Sequence, residues 1–418
     1  MSLYLRDATF IDWRTLAMKC AALRVDEGDD GAVVAVDEIP AGVTELDCAG
    51  KIVTRAFVNA HQHIYSALAR GMPAPERTPS SFRELLELVW WKLDRKLDRD
   101  MIRASALASG IEALRTGCTF IIDHHSSPAA VEGSLGILAA ALQEVGLGHL
   151  LCYELSDRDG AEVSDAGLQE TARHLARHPG LVGLHASFTV SDELLARAVE
   201  LAARLDSGIH IHVAEAESDQ AHCRETYGTT VVERLARAGA LSFPKTILAH
   251  CLHLDDIERR LVAESGAWVA QCHESNQNNA VGQFDPRDLG PRILFGTDGM
   301  HSDVLQSTRS AYLAGQSFGR SSPLAAYRRL RAAHDYLGSN GIAGAGENDL
   351  VVLDYPSPTP VTSGNWPAHV VYGLNSRHVH SVIRAGRLLV REGRVLTVDE
   401  DEVLGFAREQ AERLWGRL

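Results

Sequence analysis

Eight short apolar runs recur along the middle of this chain, each followed by an amphipathic helical stretch: residues 57–63, 118–123, 149–154, 181–187, 209–214, 246–250, 268–272 and 293–298. Strand-like runs alternating with helical ones imply repeated βα units and a parallel sheet. Eight such units close on themselves, so the expected class is α/β, a (β/α)8 TIM-like barrel over residues 56–345. With 418 residues, the chain is long enough to carry more than the barrel. Its ends look different, with short strands at 4–11, 21–25 and 33–36, and again at 350–353, 370–372 and 379–398, where Arg384 to Arg387 reads as a hairpin turn. Residues 1–55 and 346–418 are therefore expected to form one composite β-sandwich, closed by a helix over 402–415.

A barrel of this kind keeps its chemistry at the C-terminal ends of its strands, on residues drawn from several of them. His61 and His63 stand at such an end, with the run 52–58 leading into them. Two residues apart in a strand, their side chains point the same way. His212, His250 and Asp298 close units five, six and eight. Three imidazoles and a carboxylate with an open position suit zinc, with iron(II) the second choice. His61, His63, His212 and Asp298 are the expected ligands, and a water polarised there can lose its proton to Asp298. Glu215, three residues past His212, reaches the same place only if the chain turns, and is then the natural proton shuttle. His250 would orient the nucleophile and steady the charged intermediate. The only lysines are Lys19, Lys51, Lys92, Lys96 and Lys245, so none stands at the end of strand four to bridge a metal pair. One metal is expected.

The formal charge of -14, with arginines scattered among acidic residues, leaves no basic stripe for nucleic acid. No apolar run approaches the roughly 20 residues that span a bilayer, and the N-terminus lacks a leader-like apolar stretch, so a cytoplasmic location is expected. Seven cysteines without paired spacing give no disulfide framework.

These ordered motifs resemble the amidohydrolase superfamily, in its mononuclear branch of cytosine, guanine and triazine aminohydrolases. More narrowly, Trp90-Trp91-Lys92-Leu93-Asp94, Ile122-Asp123-His124-His125, Ser275-Asn276-Gln277-Asn278-Asn279 and Tyr355-Pro356-Ser357-Pro358-Thr359-Pro360 resemble the SsnA-type aminohydrolases. The resemblance implies His61, His63, His212 and Asp298 as metal ligands and Glu215 and His250 as catalytic groups. It also implies a small heterocyclic substrate and a homo-oligomer, with a dimer as the family-level guess. Where many relatives have Cys-Pro-Thr-Ser-Asn, this chain has Cys272-His273-Glu274-Ser275-Asn276, which predicts a pocket wall of different shape or charge.

Several further residues are candidates for substrate contact. His185 ends strand four on the active rim, and His124 or His125 ends strand two. Trp90 and Trp91 would serve a flat ring, although adjacent aromatics on a helix usually divide between core and surface. Ser275 and Asn276 could hydrogen-bond the ring, although Ser-Asn is also ordinary turn chemistry. His210 shares the face of His212 one layer deeper and is expected to pack. His273, His301, His378 and His380 are expected to be structural. The expected reaction is hydrolytic deamination of an aminated N-heterocycle of purine, pterin, pyrimidine or triazine type. Hydrolytic ring opening of a cyclic amide, or displacement of another ring leaving group, would use the same site. A binding protein on a silent barrel is the remote alternative, and it predicts lost ligands.

Overall fold

A computed structural model of the chain describes residues 2–318 and 321–418. The N-terminal strands are β1 (Ser2–Ile11), β2 (Met18–Asp26), β3 (Val33–Val36), β4 (Glu45–Asp47) and β5 (Ile52–Arg55). All eight expected barrel strands follow, as β6 (Phe57–Gln62), β7 (Cys118–His125), β8 (Gly148–Leu155), β9 (Val182–Ala186), β10 (Ile209–Val213), β11 (Ile247–His250), β12 (Trp268–Gln271) and β13 (Ile293–Phe295). They pair in parallel in chain order, and helices fill the connections. A parallel bridge between Gln62 and Asp298 closes the barrel. At that seam the amides of Thr297 and Asp298 both donate to the His61 carbonyl, at 2.9 and 3.0 Å.

The chain ends meet in a separate sheet. C-terminal strands β14 (Leu350–Leu353), β15 (Val379–Arg384), β16 (Arg387–Arg391) and β17 (Arg394–Val395) join the N-terminal ones through the antiparallel pair β14 and β5, making nine strands with β4 at the side of β1. The β15–β16 hairpin turns on Ala385 and Gly386, both with positive φ (48° and 75°), as a type I′ turn requires. Two expectations need correction. The run 52–58 is not one strand: it breaks at Ala56, whose amide donates to the Asp349 carbonyl, while Phe57 turns to the carbonyl of Gly117. Residues 370–372 end a helix, Trp366–Tyr372, and are not a strand. Pro367 lies in the first turn of that helix, and Val370 and Val371 are buried on it.

One apolar cluster links the layers, containing Ile111 and Leu114 of helix Arg99–Arg115, Val382 and Val390 of the terminal sheet, and Val403, Ala407 and Leu414 of the closing helix Glu400–Trp415. That closing helix reaches the site indirectly. Trp415 Nε1 donates to the Leu68 carbonyl at 2.8 Å, tying down the turn Ile64–Ala69 that follows His63. No helix among the described residues is long and apolar enough to cross a membrane.

Gly296 sits at the barrel seam, where a Cβ would lie 2.6 Å from His61 Cβ and 2.9 Å from the His61 carbonyl oxygen. Neither neighbour can swing aside, because both belong to a strand on the far side of the seam. Gly296→Ala is expected to cost about 1–3 kcal/mol, the usual range for overpacking, in urea unfolding of the metal-free protein. A midpoint equal to that of the wild type would show that the seam yields freely.

Candidate active site

His61 and His63 leave the end of β6 on the same side, and His212 comes from β10. With Asp298 they place one ligand atom each within 4.8 Å of one another, all on buried residues. The outward nitrogens are set by what lies behind them. His63 Nδ1 is 2.7 Å from the His124 carbonyl and His212 Nδ1 is 2.8 Å from the His185 carbonyl. A carbonyl only accepts, so each Nδ1 carries the proton and each Nε2 presents a lone pair. Those two Nε2 atoms face each other at 3.1 Å.

Two ring nitrogens that close need a positive charge between or beside them, a proton on one of them or a metal ion. Asp298 Oδ1, 3.1 Å from His63 Nε2 and 3.7 Å from His61 Nε2, adds to the demand for a cation. The electrostatics agree. Burial holds His61 down to about 3 and His212 well below its ordinary value, so both stay neutral. Burial works against charge on His63 too, but the hydrogen bond and charge of Asp298 override it and push the imidazole up to about 9. The Asp298 carboxyl, which burial alone would raise, is held well below its usual range by His61 and His63. His61 Nε2 is buried with no hydrogen-bond partner. A divalent metal fits this donor set.

His210 does more than pack. Its Nε2 lies 2.8 Å from His61 Nδ1, and its own Nδ1 faces Cys152 Sγ at 3.7 Å. His210 thus takes the His61 Nδ1 proton and turns Nε2 of His61 towards the donor cluster.

Glu215 arrives by the turn that its spacing requires. Ala214 has φ 46°, a left-handed conformation costly for alanine, and its amide is held by Asp219 Oδ2 at 3.0 Å. The reversal brings Glu215 Oε2 to 3.5 Å from His250 Nε2, and its Oε1 accepts from Asn279 Nδ2 at 3.2 Å. Burial pushes the Glu215 carboxyl above its ordinary range. His250 and Asp298 are also left-handed, with φ 71° and 56°. His250 Nδ1 meets Asn276 Oδ1 at 2.8 Å, which puts its proton there and leaves Nε2, 3.8 Å from Asp298 Oδ2, unpartnered and buried. Ser275 Oγ donates to Asp298 Oδ2 at 2.5 Å.

A cavity opens over these groups. His185, Trp90, Trp91 and Ser275 line it. His124 and Asn276 stand behind the wall: His124 is fully buried with Nε2 between the carbonyls of Leu184 and His210, and Asn276 holds His250. His125 is also buried, 2.9 Å from Ser127 Oγ. Glu274 brings no charge to the wall, because Gln306, Ser307, Ser310 and His301 hold its carboxylate elsewhere.

Tyr65, Phe82, Leu86, Asp94, Glu154, Asn279 and Met300 also line the cavity, and sequence reasoning did not single them out for it. Glu154 had a readable signal, a carboxylate ending the apolar run of β8 on the active rim. Trp90 ends a π-helical turn, Leu86–Trp90, an irregularity often found at functional sites.

Comparison with known proteins agrees with this architecture. The amidohydrolase family model matches residues 52–333. A 5′-deoxyadenosine deaminase of Methanothermobacter thermautotrophicus is 30% identical over 402 residues, covering 89% of this chain and 90% of that protein. A 5-methylthioadenosine/S-adenosylhomocysteine deaminase of Pelotomaculum thermopropionicum is 29% identical over 393 residues, with 89% and 88% covered. Among solved structures, an adenosine deaminase from Xanthomonas campestris with bound zinc superposes with a TM-score of 0.85 at 20% identity, covering 99% of this chain and 98% of that one. The matched span runs from β5 to the helix beyond β13, through every strand that carries the donor cluster, and the chain belongs to the amidohydrolase family.

Proposed function

We propose that this chain is a metal-dependent aminohydrolase that deaminates an aminated N-heterocycle, with a purine nucleoside as the first candidate and pterin, pyrimidine or triazine rings behind it. The observation that carries the reading is Glu215 folded back beside a cluster of three imidazoles and a carboxylate whose lone pairs converge. The named deaminases among its relatives support the reaction type and favour an adenine ring. His61, His63, His212 and Asp298 would hold the metal, with zinc first and iron(II) second for this donor set. When bound, the metal supplies Lewis-acid activation of water at neutral pH.

The residues around it do the rest. Water adds to the amino-bearing ring carbon, the carbon–nitrogen bond breaks, and ammonia leaves as the ring becomes a lactam. Asp298 accepts a proton from the attacking water and passes it to the ring nitrogen, while Glu215 gives its proton to the leaving amino nitrogen and regains one from the hydroxyl as the carbonyl forms. Burial raises the Glu215 carboxyl, which favours the protonated form that a proton donor needs. His250, its Nδ1 proton held by Asn276, presents Nε2 as an acceptor that can orient the attacking water. Trp90 and Trp91 on the cavity wall would flank the ring and keep bulk water away.

Metal-loaded protein is expected to release ammonia from at least one member of a panel of aminated purines, pterins, pyrimidines and triazines. A product heavier by one water with no ammonia lost would mean ring opening instead. His210→Phe is expected to weaken metal binding by about 10- to 100-fold, the usual effect of removing a group that orients a ligand histidine. Competition with a chromogenic chelator measures this, and unchanged affinity would remove His210 from the site.

A further inference from the structure

Among the described residues, the lining of the cavity contains four carboxylates, Asp94, Glu154, Glu215 and Asp298, and no lysine or arginine. The chemistry above uses Glu215 and Asp298. Asp94 and Glu154 are left over. They lie on another arc of the rim, Glu154 at the end of β8 and Asp94 in the helix Trp91–Asp94 that follows the first strand.

Each of the two keeps one oxygen back. Glu154 Oε2 is 3.2 Å from His124 Nδ1, but its Oε1 makes no hydrogen bond among the described residues; Arg158 Nη2, at 3.9 Å, is an ion-pair neighbour too far to donate to it. Asp94 Oδ2 is taken by Arg158 and Ser126, while Oδ1 is buried without a partner on a side chain that is 1% exposed. Arg158 is not among the lining residues: it sits over the Trp91 ring, 5.3 Å from its centroid, and pairs with Asp94, Asp159 and, more distantly, Glu154. A buried acceptor without a donor is costly, and a bound molecule that brings N–H or O–H groups removes that cost. A bound anion would add to it.

We propose that Glu154 and Asp94 form a selectivity wall that takes a neutral or cationic heterocycle through N–H or O–H donors on the edge turned towards β8, and rejects rings carrying a phosphate or carboxylate. The proposal deepens the deaminase reading, on which it rests for the orientation of the ring.

The test uses paired probes of similar size and different charge: 5′-methylthioadenosine against adenosine 5′-monophosphate, and cytosine against 5-carboxycytosine. Binding is read by quenching of tryptophan fluorescence in zinc-loaded protein, in the wild type, Glu154→Gln and Asp94→Asn. In the wild type, the uncharged member of at least one pair is expected to bind at least tenfold tighter than its anionic partner. Glu154→Gln should narrow that ratio by tenfold or more, and Asp94→Asn should move it the same way. A fold defect weakens both members alike and leaves the ratio unchanged. Equal or tighter binding of the anions, no preference in either pair, or a ratio that neither variant shifts overturns the proposal. Ammonia release is scored separately. Charge selection without ammonia would sink the deaminase reading and leave the wall standing, and ammonia without charge selection would do the reverse.

Discussion

Glu215→Gln is expected to lower kcat by about 10²- to 10⁴-fold while the bound metal stays at the wild-type level, the range for removing a positioned acid–base group. Glutamine keeps the shape of the side chain and can still meet Asn279, so the left-handed turn at Ala214 has no reason to relax. What disappears is the proton. The carboxylate lies 3.5 Å from His250 Nε2 but contributes no atom to the cluster of His61, His63, His212 and Asp298, so metal content should not fall with activity. Steady-state ammonia release, with metal content by plasma mass spectrometry on the same preparations, checks both halves. If the variant keeps more than about a tenth of the wild-type rate, another group carries the proton. If the metal is lost as well, Glu215 is a ligand and the shuttle must be sought elsewhere.

The barrel was legible because each of its strands is a short apolar run set off by a helical stretch, and a closed parallel sheet buries both faces of such runs. The same simplicity misled at residues 370–372, where Val370, Val371 and Tyr372 favour a strand on composition alone. Pro367, three residues upstream, was the contrary signal. The break at Ala56 was invisible for a different reason. Residues 52–55 and 57–62 are both extended and buried, and only their partners, β1 and β14 for one and β7 for the other, tell them apart.

At the site, period-two alternation was enough to see His61 and His63 as a pair, and chain order on the rim brought in His212, His250 and Asp298. Contacts between strands were not readable. His210 and His61 are 149 residues apart, and nothing in the spacing of either shows that their rings meet. His124 and His125 show the limit of alternation: it separates the two faces of a strand but does not say which layer opens to a cavity. Glu274 looked like a new charge in the pocket wall because sequence gives the residue without its direction. Its helix, His273–Asn278, turns Ser275 towards Asp298 and sends Glu274 to His301.

His212→Ala tests the donor cluster itself, without reference to turnover. In the wild type, zinc at 100 times its dissociation constant should stabilise the fold by about 2.7 kcal/mol, because the ion binds the folded chain alone. His212 offers its Nε2 to the cluster only because the His185 carbonyl fixes its Nδ1 proton, so its loss removes a preset ligand and one of the two ring nitrogens that face each other at 3.1 Å. The remaining His61, His63 and Asp298 are expected to bind zinc more than about 100-fold more weakly, beyond the effect of disturbing an orienting group. The zinc-induced rise in unfolding midpoint should then nearly vanish at the same zinc concentration. Without zinc the His63 imidazole, held up by Asp298, faces His212 Nε2 as a hydrogen-bond donor, so the variant loses that contact and the packing of the ring, and the zinc-induced shift is the quantity that reports on the ligand. A variant that loses stability without zinc and keeps the full zinc shift would place the metal away from β10, and with it the case that Glu215, three residues on, works beside a metal.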